Sequence, residues 1–307
     1  MSTILLATQK PFSSEAVQQI KEVVELAGHT FSLLENYSSA AELQAAVRDV
    51  EGLIVRSDQV DAALLDHAQQ LKIVVRAGAG YDNLDLPGCT AHRVVAMNTP
   101  GQNSNAVAEL AIGLMVYAAR NFYQPGTGSE LRGKTLGLQA YGNVGRLVAK
   151  HAKGMGMNVS AFDPFVDSKR IEADDVTPLT TLESLYKTCD YVSLHIPALP
   201  DTLGSINYNL LSLLPKGATV INTARKEIVN EQDLARVLQK RPDVRYVADV
   251  MPDNYSQLIR QFPAQVYATP KKMGAETAEA NTAAGVAAAK QIVNFLKNGD
   301  TTFQLNR

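Results

Sequence analysis

Short apolar runs alternate with longer amphipathic segments along most of the chain. In the first hundred residues, runs of aliphatic and β-branched residues predict strands at 4–7, 31–34, 53–55, 73–75 and 94–97. Apolar residues at helical spacing predict helices at 15–27, 40–47 and 62–69, with Ser13 or Ser14 and Asp61 as N-caps. Strands that alternate with helices indicate parallel β-α-β crossovers and an α/β fold.

The alternation is interrupted near residue 100 and resumes after residue 130. A long helix is predicted over 106–120, followed by strands at 135–139, 159–162, 191–194, 218–222 and 246–249 and by a final Ala-rich helix over 274–298. We therefore expect two α/β units joined near residue 100, with the last helix free to return to the first unit. The helix at 106–120 is apolar over much of its surface, which it could bury between the units or in a homodimer.

Composition narrows the class of protein. The 307 residues include 29 Lys and Arg against 31 Asp and Glu, giving a net charge of −2 and a pI near 6.2, which argues against nucleic-acid binding. Cys89 and Cys189 are the two cysteines, with no CxxC spacing, so we expect no disulfide framework, no metal site and a reducing compartment. The N-terminus lacks the features of a signal peptide and no apolar run could span a bilayer, so we expect a cytoplasmic protein without membrane partners.

A glycine-rich turn follows the strand at 135–139. The segment 140–145, Ala-Tyr-Gly-Asn-Val-Gly, matches a dinucleotide-binding fingerprint with alanine at the first glycine position. Gly142 would allow close approach of a pyrophosphate, Gly145 would allow close strand–helix packing, and amides near Asn143 would bind the phosphates. Ala140 can serve the first role only if its φ is negative. The alternative is a tight turn with no ligand.

Asp163 ends the next predicted strand, about 20 residues after the fingerprint. A carboxylate at this spacing would hold the adenosine ribose diol and repel a 2′-phosphate, which favours NAD over NADP. The alternative is that Asp163 only opens a turn before Pro164.

Four motifs together resemble one known family. Residues 76–83 (RAGAGYDN), the fingerprint, residues 193–197 (SLHIP) and residues 221–225 (INTAR) stand in the order of the D-isomer-specific 2-hydroxyacid dehydrogenases. The resemblance covers essentially the whole chain. It implies two doubly wound parallel-sheet domains: a flavodoxin-like substrate domain (1–98 plus 278–307) and a Rossmann NAD-binding domain (99–277). It also implies a homodimer and a short form without the C-terminal regulatory domain of longer members.

The resemblance implies hydride transfer between NAD and C2 of a 2-hydroxy acid. The amides of Ala77 and Gly78 would hold the substrate carboxylate, and Arg225 would grip the carboxylate and the C2 oxygen, a task that suits a permanently charged, bidentate guanidinium. Asp249 would contact the nicotinamide side. His195 is expected to be a structural imidazole bonded to backbone beside the cofactor, not an acid or base. The expected cofactor contacts are Tyr141, Gly142, Asn143, Val144, Gly145, Asp163, His195, Ile196, Pro197, Thr223, Ala224 and Asp249.

The sequence departs from the family at the general acid/base. Most members use a histidine paired with a glutamate, whereas Lys271 stands at the histidine position and Asp253-Asn254 stands where the family has Glu-Pro. A carboxylate raises the pKa of a histidine from about 6.5, whereas a lysine begins near 10.4 and would be lowered by Arg225, Lys272 and desolvation. We expect Lys271 to be the general acid/base. The alternatives are an anion contact without proton transfer, and a non-catalytic NAD-sensing protein.

The resemblance further implies oxidation of 3-phospho-D-glycerate to 3-phosphohydroxypyruvate, the first step of L-serine biosynthesis. Arg56, Lys10, Asn103 and Lys272 are the candidate contacts for the phosphate, and for each cation the alternative is a solvated loop charge. A glyoxylate or hydroxypyruvate reductase is the alternative activity, and it would not need Arg56 or Lys10.

Overall fold

The strands form where continuous apolar runs can be buried on both faces of a parallel sheet. A computed structural model describes residues 1–306 and divides the chain into two units. Unit 1 comprises residues 1–103 and the chain from Thr277 onward, and unit 2 comprises Ser104–Glu276. The strand ranges predicted in both units lie within one residue of the observed bounds at each end, and those at 135–139 and 191–194 coincide with them.

Unit 1 is built on a parallel sheet with the strand order β2-β1-β3-β4-β5, which is the flavodoxin-like order. Its strands are β1 (Thr3–Thr8), β2 (Thr30–Glu35), β3 (Gly52–Val55), β4 (Ile73–Arg76) and β5 (Val95–Asn98). Its helices are α1 (Ser14–Leu26), α2 (Ala40–Ala46), α3 (Ala62–Leu65), α4 (Leu86–Ala91) and, returning from the end of the chain, α12 (Ala278–Asn298). Ser13 and Asp61 are the N-caps of α1 and α3, as predicted.

The core of unit 1 lies on both faces of its sheet. Successive residues of a strand point to opposite faces, so Leu5 packs into one apolar cluster and Ile4 and Leu6 pack into the other. The second cluster also contains residues of α1 and α12, including Ile20 and Ile292. The last helix is therefore an integral part of the first unit.

Unit 2 is built on a larger parallel sheet with the order β12-β11-β10-β9-β6-β7-β8, a Rossmann arrangement in which the order reverses between β6 and β9. Its strands are β6 (Thr135–Gln139), β7 (Asn158–Phe162), β8 (Thr177–Pro178), β9 (Tyr191–Leu194), β10 (Thr219–Asn222), β11 (Arg245–Ala248) and β12 (Val266–Ala268). Its helices are α5 (Ser104–Ala119), α6 (Asn143–Gly154), α7 (Ser168–Glu172), α8 (Leu182–Thr188), α9 (Tyr208–Leu211), α10 (Glu231–Lys240) and α11 (Tyr255–Gln261). The predicted fold class, two doubly wound parallel-sheet α/β units, is confirmed.

Two predicted helix bounds lie four residues from the observed ones. The helix predicted from residue 274 begins at Ala278, because residues 274–277 belong to a loop, and α3 ends at Leu65 instead of continuing to residue 69. β8 and β12 were not predicted, since they have only two and three residues.

Helix α5 buries much of its apolar surface in the core of its own unit, including Ala111, Leu114 and Met115. In the described part of the chain, no helix is both long and apolar enough to cross a membrane.

Candidate functional site

The fingerprint forms the turn between β6 and α6. Gly142 is the N-cap of α6 and no side chain caps this helix, so its first-turn amides are left for another acceptor. A Cβ atom built on Gly142 would have no protein atom within 4 Å, which leaves the backbone open to close approach of a ligand. A Cβ on Gly145 would lie 2.4 Å from the carbonyl oxygen of Ala140, so only glycine fits there. This cradle fits the pyrophosphate of a dinucleotide.

Ala140 has a φ of 81°, so the condition that its φ be negative is not met. The turn imposes the left-handed region at the first fingerprint position, although an L-residue pays about 1–2 kcal/mol for this conformation. The Ala140 amide donates to the carbonyl of Phe162 at 2.9 Å, which ties the strained turn to the end of β7. The fingerprint keeps its geometry without its first glycine.

Asp163 follows β7 and is bonded to the fingerprint turn. Its Oδ2 accepts from the amide of Tyr141 at 2.7 Å, and its Oδ1 accepts from the amide of Phe165 at 2.9 Å. The carboxylate therefore does shape the turn around Pro164, as the alternative interpretation held. Each carboxylate oxygen can accept a further bond, so the local bonds do not exclude the ribose role.

His195 follows β9, next to the fingerprint. Its main-chain amide donates to Gln139 at 3.0 Å, but its ring atom Nε2 is buried without a hydrogen-bond partner among residues 1–306. The expected bond of the imidazole to backbone is therefore not made at Nε2. Burial lowers the pKa of His195 to about 4, so the imidazole is neutral at physiological pH. Its ring lies near Gly145, since a Cβ there would be 3.7 Å from Cδ2 of the imidazole.

Thr223 follows β10 and shares this feature: its Oγ1 is buried without a partner within the described residues. Unpaired buried polar atoms are uncommon and call for a ligand, a water molecule or another explanation. Together with the open glycine cradle, Nε2 of His195 and Oγ1 of Thr223 fit the polar groups of a bound dinucleotide.

Ile196 is half-buried and packs against the core, and Pro197 is exposed, with its carbonyl accepting from Thr202.

The backbone of Arg225 is held by Asn222, a buried residue that was not predicted as part of the site. Asn222 is fully buried at the end of β10; its Oδ1 accepts from the amide of Ala224 at 3.0 Å and its Nδ2 donates to the carbonyl of Arg225 at 2.8 Å. Nδ2 also lies 3.0 Å from the hydroxyl of Tyr246. The half-buried Arg225 donates from Nη1 to the carbonyl of Ala224 at 2.9 Å, which orients its guanidinium. The sequence signal that could have identified Asn222 is its amide side chain at the end of a short β-branched strand.

Lys271 lies on the loop between β12 and α12. Its side chain is exposed and makes no hydrogen bond or ion pair with any of the residues that the structure describes, 1–306. The desolvation expected from the sequence is therefore not supplied by unit 2. The neighbouring Lys272 and Met273 are also exposed. The Thr269 hydroxyl lies 2.8 Å from the carbonyl oxygen of Lys271.

Asp249 is fully buried at the end of β11 and is bonded to this same loop. Its Oδ1 accepts from the amide of Met273 at 2.8 Å and from the hydroxyl of Thr269 at 3.0 Å, and its Oδ2 accepts from the amide of Gly274 at 2.8 Å. Both carboxylate oxygens are thus engaged within unit 2. The predicted contact of Asp249 with the nicotinamide side stays a prediction.

The residues that replace the family's Glu-Pro are engaged elsewhere. Asp253 forms an ion pair with Lys226, and its amide and that of Asn254 donate to Glu231 at 2.7 and 3.0 Å. These bonds connect the loop after β11 to the segment that follows Arg225. Asp253 is therefore not a substitute carboxylate partner for Lys271 in this structure.

In unit 1, the RAGAGYDN motif follows β4. The amide of Ala77 donates to the carbonyl of Val55 at 2.8 Å, and the amide of Gly78 donates to the carbonyl of Arg76 at 2.9 Å. The two donors expected for a carboxylate are thus already engaged. The next two amides, of Ala79 and Gly80, donate to no acceptor within the described part of the chain, and Ala79 is exposed.

The candidate phosphate cations Lys10 and Arg56 are brought together. Arg56 donates from Nη1 to the carbonyl of Lys10 at 3.2 Å and from Nη2 to Asn281 of α12 at 2.8 Å, and its guanidinium lies over the ring of Phe12. Arg56 therefore shapes the loop that carries the exposed Lys10. Asn103 is half-buried at the end of this part of unit 1.

Residues 112–272 match the family described as D-isomer specific 2-hydroxyacid dehydrogenase, NAD binding domain. Because this match covers more than half of the chain, the protein belongs to the D-isomer specific 2-hydroxyacid dehydrogenase family. Unit 2 is its NAD-binding domain, and the prediction of NAD as the cofactor is confirmed.

Three relatives illustrate the range of similarity. Human D-3-phosphoglycerate dehydrogenase is 34% identical over 282 residues, which cover 87% of this chain and 53% of the human protein, so the chain spans about half the length of that relative. Hydroxypyruvate reductase of Thermotoga maritima is 32% identical over 306 residues, covering 93% of this chain and 96% of the relative. The crystal structure of NAD+-bound 3-phosphoglycerate dehydrogenase from Entamoeba histolytica aligns with 100% of this chain and 99% of that chain, at 42% identity and a TM-score of 0.89.

Proposed function

We propose that the protein is an NAD-dependent dehydrogenase that interconverts 3-phospho-D-glycerate and 3-phosphohydroxypyruvate. The observation that carries the proposal is the carboxyl edge of one sheet, where the dinucleotide cradle, Arg225 and Lys271 all follow strand ends. Ligands bind at this edge in open α/β sheets. NAD, when bound, supplies the hydride acceptor.

Lys271 is proposed as the general acid/base. Its amine would accept the proton of the C2 hydroxyl during oxidation, and its ammonium would return that proton during reduction. The exposed side chain without an ion pair in the described residues supports this role, since no carboxylate there competes for the ammonium.

Arg225 is proposed to bind the carboxylate and the C2 oxygen. The guanidinium is permanently charged and can donate two parallel hydrogen bonds to a carboxylate, and charge that develops on the C2 oxygen would be stabilised by it. Asn222 supports the proposal, because it fixes the backbone on both sides of the Ala224–Arg225 peptide.

In unit 1, we assign the carboxylate donors to the amides of Ala79 and Gly80, since those of Ala77 and Gly78 are already engaged. Lys10 and Arg56 are proposed for the phosphate, with Asn103 and Lys272 as further polar contacts. The bond from Arg56 to the carbonyl of Lys10 supports a shared site for these two cations.

The test is steady-state NADH consumption with phosphohydroxypyruvate, hydroxypyruvate and glyoxylate at equal concentrations. We expect the phosphorylated substrate to be preferred by several orders of magnitude in kcat/KM. Equal use of the three substrates would favour a general hydroxypyruvate reductase, a second candidate that the near full-length Thermotoga maritima relative supports. No turnover with any of them, while NADH still binds, would contradict both activities.

Lys271→Ala tests the proton transfer. General acid/base catalysis contributes about 10²–10⁴-fold, so we expect kcat to fall by about that factor while the Kd for NADH, measured by fluorescence, stays within about threefold. Lys216→Ala removes another exposed lysine of unit 2 and is the matched control. Unchanged turnover in Lys271→Ala would show that Lys271 does not transfer the proton.

The homodimer is also proposed, since the family resemblance implies one. Light scattering after size-exclusion chromatography would measure the molar mass directly. A mass of about 33 kDa, that of the 33.1-kDa chain, would contradict the proposal.

A further inference from the structure

A buried charge holds the loop that carries Lys271. The side chain of Asp249 is wholly inaccessible to solvent, and burying a carboxylate is costly unless hydrogen bonds compensate it. Here the compensation comes from one short stretch of chain: the amides of Met273 and Gly274 and the hydroxyl of Thr269. All three donors flank Lys271 in sequence.

The Thr269 hydroxyl adds a second connection across the loop. Its oxygen lies 2.7 Å from the carbonyl oxygen of Asp249, 3.0 Å from the Asp249 carboxylate and 2.8 Å from the carbonyl oxygen of Lys271. The hydroxyl has one proton and donates it to one of these acceptors at a time. All three acceptors lie within hydrogen-bond distance, so the Thr269 side chain packs between the end of β11 and the backbone of Lys271. The amide of Thr269 in turn donates to Ala248 at 3.0 Å, which continues the β11–β12 pairing up to the loop.

The other side of the loop is equally constrained. A Cβ on Gly274 would lie 3.0 Å from Oδ2 of Asp249 and 3.3 Å from Val107 on α5. Glycine at this position therefore lets the backbone approach the carboxylate closely. The Lys271 backbone lies between two points, Thr269 and Met273–Gly274, that are both bonded to the same carboxylate.

We infer that Asp249 is a positioning residue that sets the place of Lys271 by binding the two sides of its loop. This inference rests on the proposed proton-transfer role of Lys271. Without these bonds, the loop that carries the exposed Lys271 would lose its attachments to the Asp249 carboxylate, and a displacement of about 1 Å can cost about 10²-fold in rate. The role differs from a cofactor contact, because the partners of the carboxylate are groups of this chain.

Asp249→Asn is the primary variant, since it keeps the shape but places an NH2 group opposite an amide donor. We expect kcat with phosphohydroxypyruvate to fall by about 10²-fold, while the Kd for NADH stays within about threefold. Hydrogen–deuterium exchange of the segment 270–276 should accelerate, because one of the two amides, that of Met273 or that of Gly274, loses its acceptor. Asp201→Asn, a change of the same charge at an exposed position of unit 2, is the control and should leave all three quantities unchanged.

Thr269→Val and Thr269→Ser form a matched pair that remains informative if Asp249→Asn does not fold. Serine keeps the hydroxyl and should restore kcat to within about threefold of the original protein, whereas valine keeps the shape and should lower kcat by about tenfold or more with the affinity for NADH retained. An equal loss in both variants would overturn the inference, since the hydroxyl would then not matter.

Three further results would also overturn it. One is normal exchange of the segment 270–276 in Asp249→Asn, another is faster exchange with unchanged kcat, and the third is a rise of more than tenfold in the Kd for NADH, which would assign Asp249 to the cofactor. Failure of the proposed function is distinguishable, because it would appear in the original protein as no preference for phosphohydroxypyruvate or no turnover. Failure of the proposed role of Lys271 would appear as full turnover in Lys271→Ala, whatever the exchange of the loop in Asp249→Asn.

Discussion

Replacing Ala140 with glycine should stabilise the protein, although Ala→Gly changes usually do the opposite. Ala140 has a φ of 81°, a region that costs an L-residue about 1–2 kcal/mol and costs glycine nothing. Glycine also gains freedom in the unfolded chain, which opposes the effect by about 0.4–1 kcal/mol. The difference leaves a net gain of about 1 kcal/mol in the free energy of unfolding of unit 2.

Differential scanning calorimetry without added cofactor would measure this gain. For a domain of about 150–250 residues, 1 kcal/mol corresponds to a Tm shift of about 2–4 °C, so Ala140→Gly should raise the transition of unit 2 by about that amount. Ala173→Gly is the matched control, because Ala173 has a φ of −61° at the end of α7 and should be destabilised by about 0.5–1 kcal/mol. A fall in Tm for Ala140→Gly similar to that of the control would refute the strain argument.

Three further predictions concern buried and bridging polar groups. Burial lowers the pKa of His195 from 6.5 to about 4. The contribution of His195 to the free energy of unfolding should therefore be full above pH 6.5 and fall by up to about 3 kcal/mol as the pH drops to 4, because only the unfolded chain binds the proton in this window. His195→Gln should remove this pH dependence of the free energy of unfolding measured by urea unfolding. Asn222→Ala should lower the free energy of unfolding by about 1–3 kcal/mol, since it leaves the buried Tyr246 hydroxyl without its partner, and should lower kcat/KM through Arg225 without changing the Kd for NADH. Arg56→Lys cannot reproduce the forked contacts to the β1–α1 loop and α12, so it should raise the KM for phosphohydroxypyruvate about tenfold, equivalent to about 1.4 kcal/mol, more than that for hydroxypyruvate.

The sheets were predictable from sequence because their strands are buried on both faces. A continuous apolar run such as β9 (Tyr191–Leu194) carries its own signal, and its predicted bounds match the structure. β12 (Val266–Ala268) has only three residues and depends on its pairing with β11, so no local sequence pattern predicts it. The position of this edge strand is therefore determined by pairing between residues distant in sequence.

The loop after β12 shows where periodicity misleads. The Ala-rich pattern predicted a helix from Gly274, but the helix begins at Ala278 after the Thr277 cap, since the Gly274 amide is bonded to Asp249. The position of Lys271 was readable from the Thr-Pro motif beside it. Its surroundings were not, because they depend on a carboxylate from another strand.

The carboxylate donors illustrate the same limit at smaller scale. The motif at 76–83 could be located in the sequence, but which of its amides are open depends on the neighbouring strand β3, whose Val55 carbonyl accepts from the amide of Ala77. Likewise, the identity of His195 revealed nothing about whether its Nε2 would find a partner. Residue types suggested the candidate site, and tertiary hydrogen bonds determined which of its atoms remain available.

The return of α12 to unit 1 has a consequence for biosynthesis. Ile292 of this helix covers Gly52 of β3, where a Cβ would lie 2.7 Å from the Ile292 side chain, and Ile20 of α1 meets Gly285 in the same way. During translation at about 5–20 residues per second, the whole of unit 2 is synthesised between these partners, a delay of roughly 10–35 s. For this time, the face of residues 1–103 that α12 covers in the folded protein is exposed on the ribosome. A chaperone that binds this apolar face should therefore associate with nascent chains until α12 emerges.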